Sequence, residues 1–196
     1  ASYDLSLAPK EWMPLFSTIS VAGMKPEREG TRAGFFVALR AKFRDHRTMF
    51  APVARIKSSN TVFNETLRRS GSDLAMLTTR TPEGVYPYAG IPWFSTAFGR
   101  DGIITALLIV SFAPDVAAGV LRCLAATQAH EEDPVADAEP GKILHETRGG
   151  EMAMLGEVPF RRYYGSVDST PLFVMLAGAY YDRTGDVALI TDLWPK

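Results

Sequence analysis

The chain has 196 residues, of which 21 are Lys or Arg and 22 are Asp or Glu. So even a balance gives no electrostatic basis for binding nucleic acid or an anionic membrane. A hydrophobic share of 46% belongs to a globular protein rather than a disordered one.

No uninterrupted apolar run approaches the ~20 residues that cross a bilayer. Ala1-Ser2-Tyr3-Asp4 has neither the basic start nor the apolar core of a signal peptide. Cys123 stands alone, so there is no internal disulfide, and a reducing cytoplasm is the expected location. Its neighbours Val120, Leu121 and Leu124 make it a small core residue. Three scattered His and one Cys form no zinc spacing, and no cofactor is expected.

Residues 2–22 have strand character: Tyr3, Leu5 and Leu7 alternate with polar residues, and Leu15 to Val21 are rich in Thr, Ile and Phe. Pro9 and Pro14 fit a connection or an edge. From Thr31 to Phe50, Phe35, Phe36, Leu39 and Phe43 follow helical spacing. Arg40, Lys42, Arg44, His46 and Arg47 lie between them and read as a solvated helix face. Ser58-Ser59-Asn60 are good caps for a long helix over 58–79, carrying Phe63, Leu67, Leu74 and Leu77 and broken or ended near Gly71.

Thr81-Pro82-Glu83-Gly84 is a turn, and Val85 to Ala89 is extended. An apolar run from about Asp101 to Phe112 predicts a helix buried on most sides. Pro114-Asp115 starts another, with Val116, Val120, Leu121 and Leu124 on one stripe. Residues 131–141, EEDPVADAEPG, read as an acidic solvated loop whose spacing fits no EF-hand. Asp168 or Ser169 caps a last clear helix, with Pro171 in its first turn and Gly185 at its end. Leu172, Met175, Leu176, Ala179 and Tyr180 should face the core there.

The most informative stretch is residues 86–108, YPYAGIPWFSTAFGRDGIITALL. Trp93, Phe94 and Phe98 precede the pair Arg100-Asp101 at the mouth of an apolar helix. A guanidinium and a carboxylate can bridge neighbouring sugar hydroxyls while an aromatic face covers the apolar side of the ring. The competing reading is structural: Asp101 caps the helix and Arg100 pairs with it.

Pro92-Trp93-Phe94-Ser95-Thr96 and Phe98-Gly99-Arg100-Asp101-Gly102 resemble the amylo-alpha-1,6-glucosidase and glycogen-debranching-enzyme family of six-hairpin glycosidases. Two further strings are similar to elements of that family and stand in the expected order. They are GKILHETRGGEM at 141–152 and YYGSVDSTPLFVMLAGAYYDRTGD at 163–186.

The resemblance implies a mainly α chain: an incomplete (α/α)6 toroid preceded by the remnant of a β-sandwich. Residues 1–25 would be the last strands of the sandwich, 26–57 a linker with a helix, and 58–196 the first hairpins of the toroid. A toroid of twelve helices exceeds this chain by a wide margin, so the missing C-terminal part of its own domain is an expected partner. The implied activity of the complete enzyme is inverting hydrolysis of α-1,6-glucosidic branch points in glycogen or a related α-glucan, releasing glucose.

Substrate-binding candidates carried over from the three strings are Trp93, Phe98, Arg100, Asp101, His145, Glu146, Arg148, Tyr164 and Asp168. The general acid and base are expected beyond residue 196, so the isolated chain should be catalytically silent. Three alternatives stand beside this reading: another toroid glycosidase, a disaccharide phosphorylase, or a non-catalytic carbohydrate-binding piece. Glu146 and Arg148 also have a purely structural reading as a buried ion pair.

Overall fold

Helix α1 (Arg32–Phe50) begins where Thr31 turns its hydroxyl to accept the Gly34 amide at 3.1 Å, which satisfies one of the donors that every helix start leaves open. The computed structural model describes residues 6–16, 30–50 and 56–195, with side chains to residue 44 in α1. The chain divides into two compact units, Ala1–Met49 and Phe50–Lys196.

In the first unit, the rings of Phe16 and Phe35 lie 5.6 Å apart, and Phe35 meets Phe36 edge-on. Of the stretch expected to form strands, residues 6–16 contain a turn and irregular backbone but no strand. Residues 1–5 and 17–22 of that expectation lie outside the described residues, as do the side chains of His46 and Arg47.

The second unit is mainly helical. Helix α2 (Thr61–Leu77) starts at Asn60, whose side chain accepts the Phe63 amide at 3.0 Å. Contrary to the sequence expectation, it runs straight through Gly71. A single glycine costs a helix only about 1 kcal/mol, and here Glu65–Arg68 and Arg69–Asp73 pairs flank it along the exposed face. Strands β1 (Thr78–Thr81) and β2 (Gly84–Pro87) follow as an antiparallel hairpin that pairs Thr79 with Tyr86. Gly84 closes its turn at φ +138°, a conformation that side chains other than glycine's rarely adopt.

Three helices then form the core: α3 (Gly99–Ile109), α4 (Pro114–Ala126) and α6 (Ser169–Thr184), packed on one another, with β2 also against α4. A short α5 (Glu151–Met154) and a 3-10 turn at Pro159–Arg161 lie in the long connection before α6, and α7 (Val187–Leu193) closes the chain against α4 and α6. Helix α4 takes the central place. Pro114 supplies the fixed φ its first turn needs, and the expected stripe of Val116, Val120, Leu121 and Leu124 is buried. Cys123 is buried too, and its thiol is pushed up to about 11 by burial, with the charge of Glu83 adding to the effect.

Two expectations about core faces need correction. Helix α3 is not buried on most sides: Ile103 and Ala106 are inside, while Ile104 and Leu108 face outward. Its neighbours α4, α6 and β2 cover one face only. In α6 the buried stripe is Ser169, Phe173, Leu176 and Tyr180, and Met175 is 60% exposed. That stripe keeps helical spacing but is rotated from the one containing Met175, because α3 and α4 approach from the side of Phe173. The C-terminus of α6 is as expected, with Gly185 left-handed at φ +66°.

Candidate functional site

The three motif strings, far apart in sequence, meet in one backbone ladder. Phe98 pairs with Glu146, and Glu146 pairs with Tyr163. Around that ladder the Gly99 amide donates to the His145 carbonyl at 2.9 Å, the His145 amide to Tyr163 at 2.8 Å, and the Tyr163 amide back to Glu146 at 3.0 Å. Side chains reinforce the seam: the Thr96 hydroxyl donates to the Thr147 carbonyl, and the Thr147 hydroxyl to the Arg161 carbonyl.

Glycines explain how closely these segments approach. A Cβ on Gly99 would stand 1.9 Å from the Leu144 carbonyl oxygen, and one on Gly102 would strike the Tyr86 ring. The Tyr86 hydroxyl donates to the Phe98 carbonyl at 2.7 Å, and the same oxygen accepts the Gly102 amide at 3.0 Å. Both glycines of the Gly99-Arg100-Asp101-Gly102 string are therefore packing requirements. They fix the backbone on which Arg100 and Asp101 are mounted.

Arg100 does not pair with its sequence neighbour. Its Nη1 lies 3.1 Å from Asp168 Oδ2, at the start of α6. The Ser166 hydroxyl donates to the other Asp168 oxygen. That bond, and after it the Arg100 guanidinium, hold the Asp168 carboxyl below its usual value, with partial burial opposing them. Asp168 occupies the cap position of α6 yet makes no side-chain capping bond, its oxygens being taken by Ser166 and Arg100. Asp101 is not a cap either. The cap of α3 is Phe98, and Asp101 lies half-buried in the first turn, where a negative charge meets the positive end of the helix dipole.

The second ion pair is better enclosed. Glu146, 8% exposed, accepts from Arg148 Nε at 2.8 Å, and Arg148 Nη1 donates to the Trp93 carbonyl at 2.6 Å. The guanidinium also lies over two rings, 5.2 Å from the centre of Phe98 and 5.6 Å from that of Phe94. Such a cation–π clamp orders the aromatic segment around a fixed charge. His145 sits edge-on between Phe98 and Tyr163, and its buried Nδ1 has no hydrogen-bond partner among the described residues.

The nine candidates thus fall into two groups and two single residues. Arg100, Asp101 and Asp168 are together at the N-terminal ends of α3 and α6, accessible from outside. Phe98, His145, Glu146 and Arg148 form the packed layer beneath, and Phe98 is too enclosed to present its face to a ligand. Trp93 is 78% exposed and free to present one. Tyr164 stands apart, because its ring is buried and its hydroxyl donates to the Thr127 carbonyl at 2.7 Å.

Two residues of this arrangement were not among the sequence candidates. Phe94 shares Arg148 with Phe98, a contact no local pattern reveals across that separation. Ser166 was signalled only by the Ser-x-Asp spacing that lets a hydroxyl reach the carboxylate two residues on. Comparison with protein-family models and with curated proteins returned no match for this chain.

Proposed function

We propose that this chain is the sugar-recognising part of a glycoside hydrolase acting at α-1,6-glucosidic branch points of glycogen or a related α-glucan. In that reading its helices are hairpins of an (α/α)6 toroid that follows a β-sandwich. One observation carries the proposal. The three strings that resemble the debranching family converge on a single ladder and bring Arg100 to Asp168, with Asp101 on the same turn as Arg100 and with Trp93 and Phe94 of the first string exposed.

The chemistry fits a pyranose. Arg100 keeps donors beyond the one used on Asp168, because a guanidinium has five N–H groups. The Asp101 carboxylate offers acceptors on the same turn, and Trp93 and Phe94 offer apolar surface. Glu146 is suited to supporting this layer, since it is enclosed and paired with Arg148. An inverting hydrolase needs two carboxyl groups ~6.5–9.5 Å apart, and the proposal assigns neither role to the residues named here.

The test is calorimetric titration of the chain with a branched α-glucan trisaccharide that contains an α-1,6 linkage. Saturable binding is expected, with linear maltotriose weaker. A charge-assisted hydrogen bond contributes on the order of 1.5–3 kcal/mol, so Asp101→Asn should weaken binding roughly ten- to two-hundredfold. Unchanged affinity in a folded Asp101→Asn chain would remove the sugar-binding role. In the intact enzyme the same substitution should lower kcat/KM by a similar factor.

A further inference from the structure

A concavity is lined in part by Arg148. It has a volume of about 820 Å³ and is lined by Asp133, Val135, Ala136, Thr147 and Arg148, and by residues between Ala153 and Arg162 that do not include Glu157. Three guanidinium-bearing residues line it, Arg148, Arg161 and Arg162, against one carboxylate, Asp133. Neither Arg161 nor Arg162 has a carboxylate partner within ion-pair distance among the described residues. Asp133 is turned into its own loop, where Oδ1 accepts the amides of Val135 and Ala136.

Both arginines stand on anchored backbone. The Arg161 carbonyl accepts the Thr147 hydroxyl at 2.7 Å, which ties the 3-10 turn to the segment bearing Arg148. Arg162 is followed by Tyr163, whose amide donates to the Glu146 carbonyl at 3.0 Å, and by Tyr164, whose amide donates to the Ala136 carbonyl at 2.9 Å. The rest of the lining is largely apolar and includes Val135, Leu155, Val158 and Pro159. Unneutralised planar forks on a fixed frame match the geometry of a phosphate oxygen pair. The volume falls in the ~300–1,000 Å³ range of small-molecule sites, and a bare phosphate ion would leave most of it unfilled.

We infer that this cavity binds a small phosphate monoester, the phosphate held by Arg161 and Arg162 and the organic body lying on the Val135–Leu155–Val158 wall. The cavity shares Arg148 with the layer beneath the proposed sugar site, and the inference, which rests on Arg161 and Arg162, holds whether or not the chain takes part in glycoside hydrolysis. Glucose 6-phosphate serves as the probe, titrated by calorimetry beside inorganic phosphate and uncharged glucose.

Saturable binding of the ester below ~10 mM is expected, about fivefold or more tighter than inorganic phosphate, with no binding of glucose in this cavity. The Arg161→Gln/Arg162→Gln chain should bind the ester at least ~tenfold more weakly, since two charge-assisted contacts are lost, and Arg68→Gln on the exposed face of α2 should bind it normally. If the double variant loses its helical circular dichroism, Val158→Asp places a repelling charge on the wall and should abolish binding instead. Three results would overturn the inference: no saturable ester binding, equal affinity for ester and inorganic phosphate, or full affinity in both folded variants.

Discussion

Helices α2 and α4 carry comparably amphipathic sequences but stand on different forces. Helix α4 buries nine of its thirteen residues, and every neighbouring element of the core touches it. Helix α2 is longer, at seventeen residues, yet none is buried. What holds α2 is local: the Asn60 cap, two surface ion pairs, and the Thr78 amide donating to the Leu74 carbonyl at its end. An apolar stripe in sequence therefore marks a face able to be covered, whereas the neighbours decide whether it is. The site leans on the first kind of helix. The start of α3 is fixed against Leu144 and Tyr86 by the same packing that surrounds α4.

The sharpest way to break this contrast is truncation of one leucine in each helix. Leu121→Ala empties a fully buried position and should cost about 2–5 kcal/mol in chemical denaturation. Leu67→Ala in α2, only half-buried, should cost under about 1 kcal/mol; equal losses would refute the division. At the site end, Gly99→Ala forces a methyl against a backbone oxygen and should destabilise by about 3 kcal/mol. A neutral Gly99→Ala chain would show that the ladder yields more easily than its geometry implies.

The pH dependence sharpens the same contrast. The Cys123 thiol is raised in the folded chain from 9.0 to about 11, so its contribution is fully present below the unfolded value and is lost as pH rises through about 11. The loss should be about 3 kcal/mol, checked by comparing alkaline denaturation of the chain with that of Cys123→Ala after correcting both for the mutation at neutral pH. Smaller still is Asn60→Ala, which should loosen only the first turn of α2, by about 1 kcal/mol, as faster amide exchange at Phe63. Least of all is Asp168, whose carboxyl is depressed. Its stabilisation is present above the ordinary carboxylate pKa and fades as pH falls through the lower folded value. At over a third exposed the effect should stay under about 1 kcal/mol, seen as the difference between wild type and Asp168→Asn below pH 4.

Most helices were legible because their signals are local. Asn60, Pro114 and Gly185 punctuate the chain through backbone chemistry that does not depend on what packs nearby. The burial of α3 and the rotation of the α6 stripe were not legible, since Ile104, Leu108 and Met175 are as apolar as their buried neighbours and only the approach of α4 separates them. At the site, the sequence held the list of polar residues but not their partners. Arg100 and Asp101 look like a pair because they are adjacent, but successive residues on a helix point about 100° apart and do not face each other. Arg100 reaches Asp168 instead, a choice made by the packing of α3 on α6.

The ladder joining Phe98, Glu146 and Tyr163 is made by main-chain atoms, which every residue but proline supplies alike. Its alignment is therefore set first by backbone geometry, with the Thr96 and Thr147 hydroxyls adding to the seam. Residues at positions 100 and 166, which lie outside the enclosed layer of Phe98, His145, Glu146 and Arg148, can be exchanged while the three segments stay in register, much as cards are swapped in a fixed rack. A designer seeking a different ligand could vary those two positions in a combinatorial library and leave Gly99, Gly102 and the Glu146–Arg148 pair untouched, and most members should still fold.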